Sequence, residues 1–160
     1  MQHAIQWLLD NQEADGSWYG RWGICYIYGT WAALTGLMAA GVNSEHPAVQ
    51  EAVRWLTSIQ LEDGGWGESC RSDQVKTFVA LPKSTISQTA WAVDALTAVH
   101  ENPTSAIDRG VHALIKLNQD DWALTYPTGG GLPGSFYVYY HSYRYFWPLL
   151  ALSHYRNKYL

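Results

Sequence analysis

The residues of this chain best suited to chemistry are aromatic rings. The stretch Phe136-Tyr137-Val-Tyr139-Tyr140-His-Ser-Tyr143-Arg-Tyr-Phe-Trp147 holds more rings than one buried helical stripe can take, so some must line a cavity or face a partner. Ring faces attract cations through their quadrupole. An aromatic-walled cavity therefore suits an apolar substrate that passes through a cationic state, and an ordinary aromatic core is the competing reading of the same residues. Carboxylates offer a second chemistry. Asp63, Glu68 and Asp73 fall close together, and two suitably spaced acids could hydrolyse a glycoside laid over tryptophan. Their polar setting reads instead as solvated loop charge. Glu68-x-Cys70 with His141 could gather a metal, but no paired-cysteine spacing supports a zinc site.

Composition narrows these options. With 160 residues, 48% of them hydrophobic, the chain is long enough for one domain, residues 1–160, with a real core. A formal charge of -4 and the absence of a basic stripe argue against a nucleic-acid partner. Nine Trp and 11 Tyr exceed what a core of this size needs, which again points to rings with work outside the core. Cys25 and Cys70 are too few for a disulfide framework, so a reducing, cytoplasmic setting is expected. The opening MQHAIQWLLDNQ reads as helix and not as a signal peptide, and no segment has the length of a membrane span.

The scaffold that must position the rings announces itself as a repeat. Gln12-Glu-Ala-Asp-Gly16-Ser-Trp18 and Gln60-Leu-Glu-Asp-Gly64-Gly-Trp66 follow matching Trp7-Leu8 and Trp55-Leu56 pairs, and Leu114 to Trp122 is a degraded third copy without the glycine. A period of about 50 residues indicates stacked helical units. In each unit the Gln amide is expected to satisfy backbone groups at a helix end, with the indole packed over it and the glycine allowing the close approach. Gln12, Gly16, Trp18, Gln60, Gly64 and Trp66 are thus structural staples.

Apolar spacing predicts helices over residues 3–12, 24–40, from Pro47 to about Ile59, 84–99, from Pro103 to about Leu117, and from about Phe136 to Tyr155. Gly41 closes the second. The connection from Gly64 to Pro82 is long and polar, and Tyr126 to Gly134 reads as a turn-rich loop. Strand signals are weak. The expected class is all-α, six helices in three pairs forming outer and inner layers of a curved array.

Taken together, the Gln-Trp units, Gly20-Arg-Trp22-Gly-Ile-Cys-Tyr-Ile-Tyr28-Gly29, Gly64-Gly-Trp-Gly-Glu-Ser-Cys-Arg71, Ser87-Gln-Thr-Ala-Trp91 and the ending Leu132-Pro-Gly-Ser-Phe136-Tyr137 through Tyr143-Arg144 resemble the C-terminal part of squalene-hopene cyclases. The likeness runs along essentially the whole chain. It implies an α/α barrel (toroid), here about half of one, and protonation-initiated cyclisation of a linear polyprene, squalene or a C35 analogue, without metal or other cofactor. The family's pocket positions fall on Trp22, Tyr28, Leu132, Phe136, Tyr137, Tyr140 and Tyr143, which would shape the folded polyprene and stabilise cations. Leu132 stands where hopene-forming members carry Phe, which favours the likeness to bacillus cyclases of C35 substrates.

The family's proton donor, Asp-x-Asp-Asp, does not occur in this sequence, and Asn118-Gln-Asp120-Asp121 begins with the wrong residue in the wrong unit. Protonating an alkene needs a carboxylic acid kept neutral by burial beside other carboxylates. The resemblance therefore implies no catalytic residue here, an inactive isolated chain, and an N-terminal cyclase part as partner. It further implies contact with one membrane leaflet, and a homodimer is admitted. Two other classes stay open. A zinc-dependent prenyltransferase β-subunit shares the barrel but needs an Asp-x-Cys pair where this chain has Thr85-Ile-Ser87, and a His where Arg144 falls. A stand-alone helical repeat module would use its concave aromatic face to bind an apolar ligand or a protein.

Overall fold

The computed structural model describes residues 1–132 and 136–160, without the Leu132 side chain. Pro133, Gly134 and Ser135, which belong to the predicted loop and the family-like ending, lie outside the described residues. The elements run α1 (Gln2–Asp10), α2 (Tyr26–Ala39), α3 (Pro47–Ser58), α4 (Arg71–Val75), α5 (Ile86–Val99), α6 (Ser105–Leu117), α7 (Asp121–Thr125), β1 (Gly129–Leu132), β2 (Phe136–Val138) and α8 (Tyr143–Tyr159).

Three long helices form the inner layer. α5 is enclosed on every side and buries Ile86 to Thr97 and Val99, packing between α2 and α8. Each of its large apolar side chains contributes about 1.5–3 kcal/mol on burial, so α5 is the axis of the core. α3 and α6 are amphipathic and lie outside, burying Val49, Val53, Trp55 and Leu56, and Ile107, Leu114 and Leu117. α1 completes the outer set but buries no residue fully, and its Trp7 is exposed.

Helix starts follow capping chemistry. Thr85 Oγ1 accepts from the Gln88 N–H and Thr104 Oγ1 from the Ile107 N–H, each at 3.3 Å, satisfying donors that the first turn leaves free. The start expected at Pro103 thus falls at Ser105, after the Thr104 cap. Pro47 occupies the first turn of α3 as expected, and Gly41 ends α2 with the Val42 N–H on the Leu37 carbonyl.

Two expectations fail locally. Six helices were expected, and eight are present among the described residues, because the connections also contain the single-turn elements α4 and α7. The helix expected from Phe136 begins at Tyr143. Before it, β1 and β2 pair antiparallel, Gly129 with Val138 and Gly130 with Tyr137, with an irregularity between Gly130 and Leu132. Strand propensity was weak here because glycines make one strand, yet glycine is what permits the close approach. An added Cβ on Gly131 would stand 2.0 Å from the Phe136 ring.

The third Gln-Trp copy does not reproduce the other two. Without a glycine to turn on, the chain runs into α7, whose N-terminus is capped by Asp120 accepting from Trp122 and Ala123.

Candidate cavity wall and its buried supports

Both intact Gln-Trp units make the same bonds. Gln12 Nε2 donates to the Gly16 and Ala48 carbonyls at 2.8 Å, and Gln60 Nε2 to those of Gly64 and Ala106 at 2.8 and 2.9 Å. Each amide therefore ties its own turn to the first turn of the next outer helix. The free carbonyl at the preceding helix end is taken by the indole instead, Trp18 Nε1 donating to Leu8 and Trp66 Nε1 to Leu56. The expected division of labour is thus refined, since Trp serves the helix end and Gln bridges forward. Each Trp main-chain N–H reaches a threonine of an inner helix, Thr30 or Thr89, at 3.0 Å.

The connection after Trp66 is not solvated charge, which corrects the reading of Glu68 and Asp73. Glu68 is fully buried and accepts from the N–H groups of Cys25, Tyr26 and Ile27 at 2.9, 3.1 and 2.9 Å, capping the N-terminus of α2 across the sequence. Burial raises its carboxyl pKa, while those three N–H groups and Ser72 pull the other way. Gln88 fixes the same loop, accepting from the Glu68 N–H and donating to the Glu68 and Ile24 carbonyls. Asp73, also buried, accepts from the Tyr19 hydroxyl and Lys76 ammonium at 2.6 and 2.7 Å and from the Tyr137 hydroxyl at 3.3 Å. Asp63 alone is exposed, receiving Ser84 Oγ and the Gly65 N–H.

These commitments take Glu68 and Asp73 out of the candidate pair for glycoside chemistry. They also remove Glu68 from any metal set, and Cys70 donates its thiol to the Pro127 carbonyl. Among the described residues, no group of three His, Cys, Asp or Glu is placed to hold an ion. Burial, with Glu68 next, drives the Cys25 thiol far above its ordinary range, which disfavours the thiolate.

The two sequence regions that hold the predicted pocket residues meet. β1 pairs on its other edge with the segment around Gly23. Gly130 N–H donates to the Trp22 carbonyl at 2.8 Å, and Ile24 N–H to the Thr128 carbonyl at 2.9 Å. This brings Trp22, 56% exposed, to the same small layer as Phe136, 53% exposed. The Arg21 guanidinium lies over the Trp22 ring.

Tyr28, Tyr140 and Tyr143 enter a second group, built around rings of the inner helices. Trp91 meets Tyr28 edge-on at 5.1 Å, Tyr143 at 6.0 Å and Trp147 at 5.8 Å. Trp31 stacks near Trp91 and meets Trp147 at 4.8 Å, and Tyr140 and Phe146 extend the cluster through Tyr143 to the exposed surface. Burial raises the Tyr143 hydroxyl pKa, so this ring stays neutral in the physiological range.

Tyr137 stands beside Phe136 in β2, opposite Gly130, with its hydroxyl turned to Asp73. For Leu132 the backbone pairing with Phe136 is described and the side chain is not. The sequence placed Trp147 in the aromatic ending and Trp31 and Trp91 on apolar helices, but carried no signal that the three rings meet.

The family model described as the squalene-hopene cyclase C-terminal domain matches residues 1–157. The chain belongs to this family. Among curated members, a squalene-hopene cyclase of Zymomonas mobilis is 49% identical over 98% of this chain and 24% of its own length. Sporulenol synthase of Bacillus subtilis is 52% identical over 97% of this chain and 25% of its own. The chain therefore spans about a quarter of the relatives it matches. In three dimensions it is similar to ent-copalyl diphosphate synthase from Streptomyces platensis, with a TM-score of 0.70, 26% identity, and coverage of 94% of this chain and 27% of that one. The family's C-terminal region thus supplies the helical frame on which both ring groups stand.

Proposed function

We propose that this chain is part of the cavity wall of a squalene-hopene-type cyclase, and that its rings guide a folded linear polyprene through cationic intermediates. The carrying observation is the continuous cluster from Tyr28 through Trp91 to Tyr143 and Tyr140, buried at one side and exposed at the other. Ring faces offer a migrating cation negative potential without a nucleophile that would trap it. Trp22 and Phe136 shape a second part of that wall.

The protonating acid is supplied by a different polypeptide segment. Of the three buried carboxylates among the described residues, Glu68 is committed to a helix N-terminus, Asp73 to hydroxyl and ammonium donors, and Asp94 to the Trp31 indole and His154. The similarity to sporulenol synthase, with Leu132 in place of Phe, favours a C35 polyprene over squalene. Such substrates partition into lipid, so the reading includes a cytoplasmic protein touching one membrane leaflet. No described helix is long and apolar enough to cross a membrane.

Incubating the purified chain with squalene and with a C35 polyprene should give no cyclic product. Adding a cyclase segment that carries Asp-x-Asp-Asp should restore turnover, with the C35 substrate preferred. Robust cyclisation by the 160-residue chain alone would overturn the assignment of the acid elsewhere.

A further inference from the structure

At their C-terminal ends the three inner helices enclose a cleft of about 580 Å³, whose lining includes Trp31, Met38, Asp94, Leu150 and His154. Asp94 is 5% exposed and lies on the most buried helix of the molecule. Its Oδ2 accepts from Trp31 Nε1 at 2.7 Å, and its Oδ1 lies 2.6 Å from His154 Nδ1. Lys158, in the same cleft, directs its ammonium to the Thr97 and Ala98 carbonyls. Trp91 and Trp147, the two indoles in contact with Trp31, have buried N–H groups without a partner among the described residues. The carboxylate therefore selects one indole of the three.

We propose that Asp94 is a positioning residue for the ring cluster, acting through Trp31. Trp31 touches Tyr28, Trp91 and Trp147, so a fixed Trp31 fixes the rings on all three inner helices. A carboxylate bonded to an indole N–H also pushes electron density towards the ring, which strengthens its attraction for a cation. His154 Nδ1 meets the other oxygen of the same carboxylate, opposite the one that accepts from Trp31. The inference rests on the cavity reading above, because it assigns Asp94 a role in favouring cationic over neutral occupants.

The test uses the whole 160-residue chain and two probes with equal alkyl chains, dodecyltrimethylammonium and dodecanol, below their aggregation limits. Wild-type protein should prefer the ammonium. Asp94→Asn should weaken ammonium binding roughly tenfold while leaving the alcohol within about twofold, a selectivity that a purely structural role would not move. In ultraviolet resonance Raman, the wild-type minus Trp31→Phe difference should show a strongly hydrogen-bonded indole, and Asp94→Asn should shift that band. An unchanged ammonium preference in folded Asp94→Asn protein overturns the proposal. So does a Trp31 band typical of an unbonded N–H, which is readable even if Asp94→Asn fails to fold. A wild-type chain indifferent to the ammonium overturns the cavity reading instead, and the Raman band then decides the Asp94–Trp31 contact by itself.

Discussion

The two Gln-Trp units are chemically near-identical and sit in unequal surroundings. Gly16 and Gly64 have φ of 93° and 88°, and an added Cβ at either would stand 2.8 Å from a main-chain oxygen of the next outer helix, that of Glu51 or Arg109. The glutamine and indole bonds match to within about 0.1 Å. The flanks differ. Trp66 is wholly buried and follows α3, which buries six residues, whereas Trp18 follows α1, which buries none. Two residues beyond the indole the second unit has Glu68, which caps α2, where the first has Gly20. Local chemistry therefore sets the shape of the staple, and neighbours set how much stability hangs on it.

This contrast can be broken or sharpened by mutation. The largest expected effect is Trp66→Ala, at about 3–5 kcal/mol, against about 2–3 for Trp18→Ala, both measured by denaturant unfolding. Equal losses would mean that the cover on the flanking helix is irrelevant. Glu68→Ala should cost about 2–3 kcal/mol, because three buried N–H groups lose their acceptor.

Glu68 also predicts a pH dependence. Its pKa is raised in the folded chain, so its contribution to stability is full below the ordinary glutamate value near 4.3 and is lost as pH rises through the folded value. Glu68→Gln should flatten the fall in melting temperature measured from acid towards neutral pH, and an unchanged slope would refute this linkage.

Gly16→Ala and Gly64→Ala should each cost about 1–3 kcal/mol, since both impose positive φ and a backbone contact. A clear difference between them would show that the two turns are not equivalent. Smallest of all, Trp7→Ser on the uncovered α1 should shift unfolding by less than about 0.5 kcal/mol, where Trp55→Ser on α3 should shift it by several times that amount.

Much of the frame was legible because helices carry their signals locally. Apolar spacing, Pro47 and Gly41 placed the six long helices, with starts displaced where the Thr104 cap outranked Pro103 and where a strand took the residues from Phe136. The hairpin was not legible, because Gly129 to Gly131 carry no strand preference and are ordered by pairing with Gly23 and Tyr137. Glu68 and Asp73 misled for a related reason. A carboxylate in a polar loop looks solvated until the fold brings three N–H groups, or two hydroxyls and an ammonium, to meet it. Of the predicted pocket, Tyr28, Tyr140 and Tyr143 converge, Trp22 and Phe136 share a layer, and Tyr137 turns to Asp73.

By itself the sequence determined the repeat, the helical class and the family, because a glutamine, a glycine and a tryptophan at fixed spacing close the same turn wherever they occur. Only the tertiary structure decided which rings face one another, which indole Asp94 selects and which loop acid caps α2. Those outcomes depend on contacts between residues more than 40 apart in sequence, set by how the elements pack and not by any local preference.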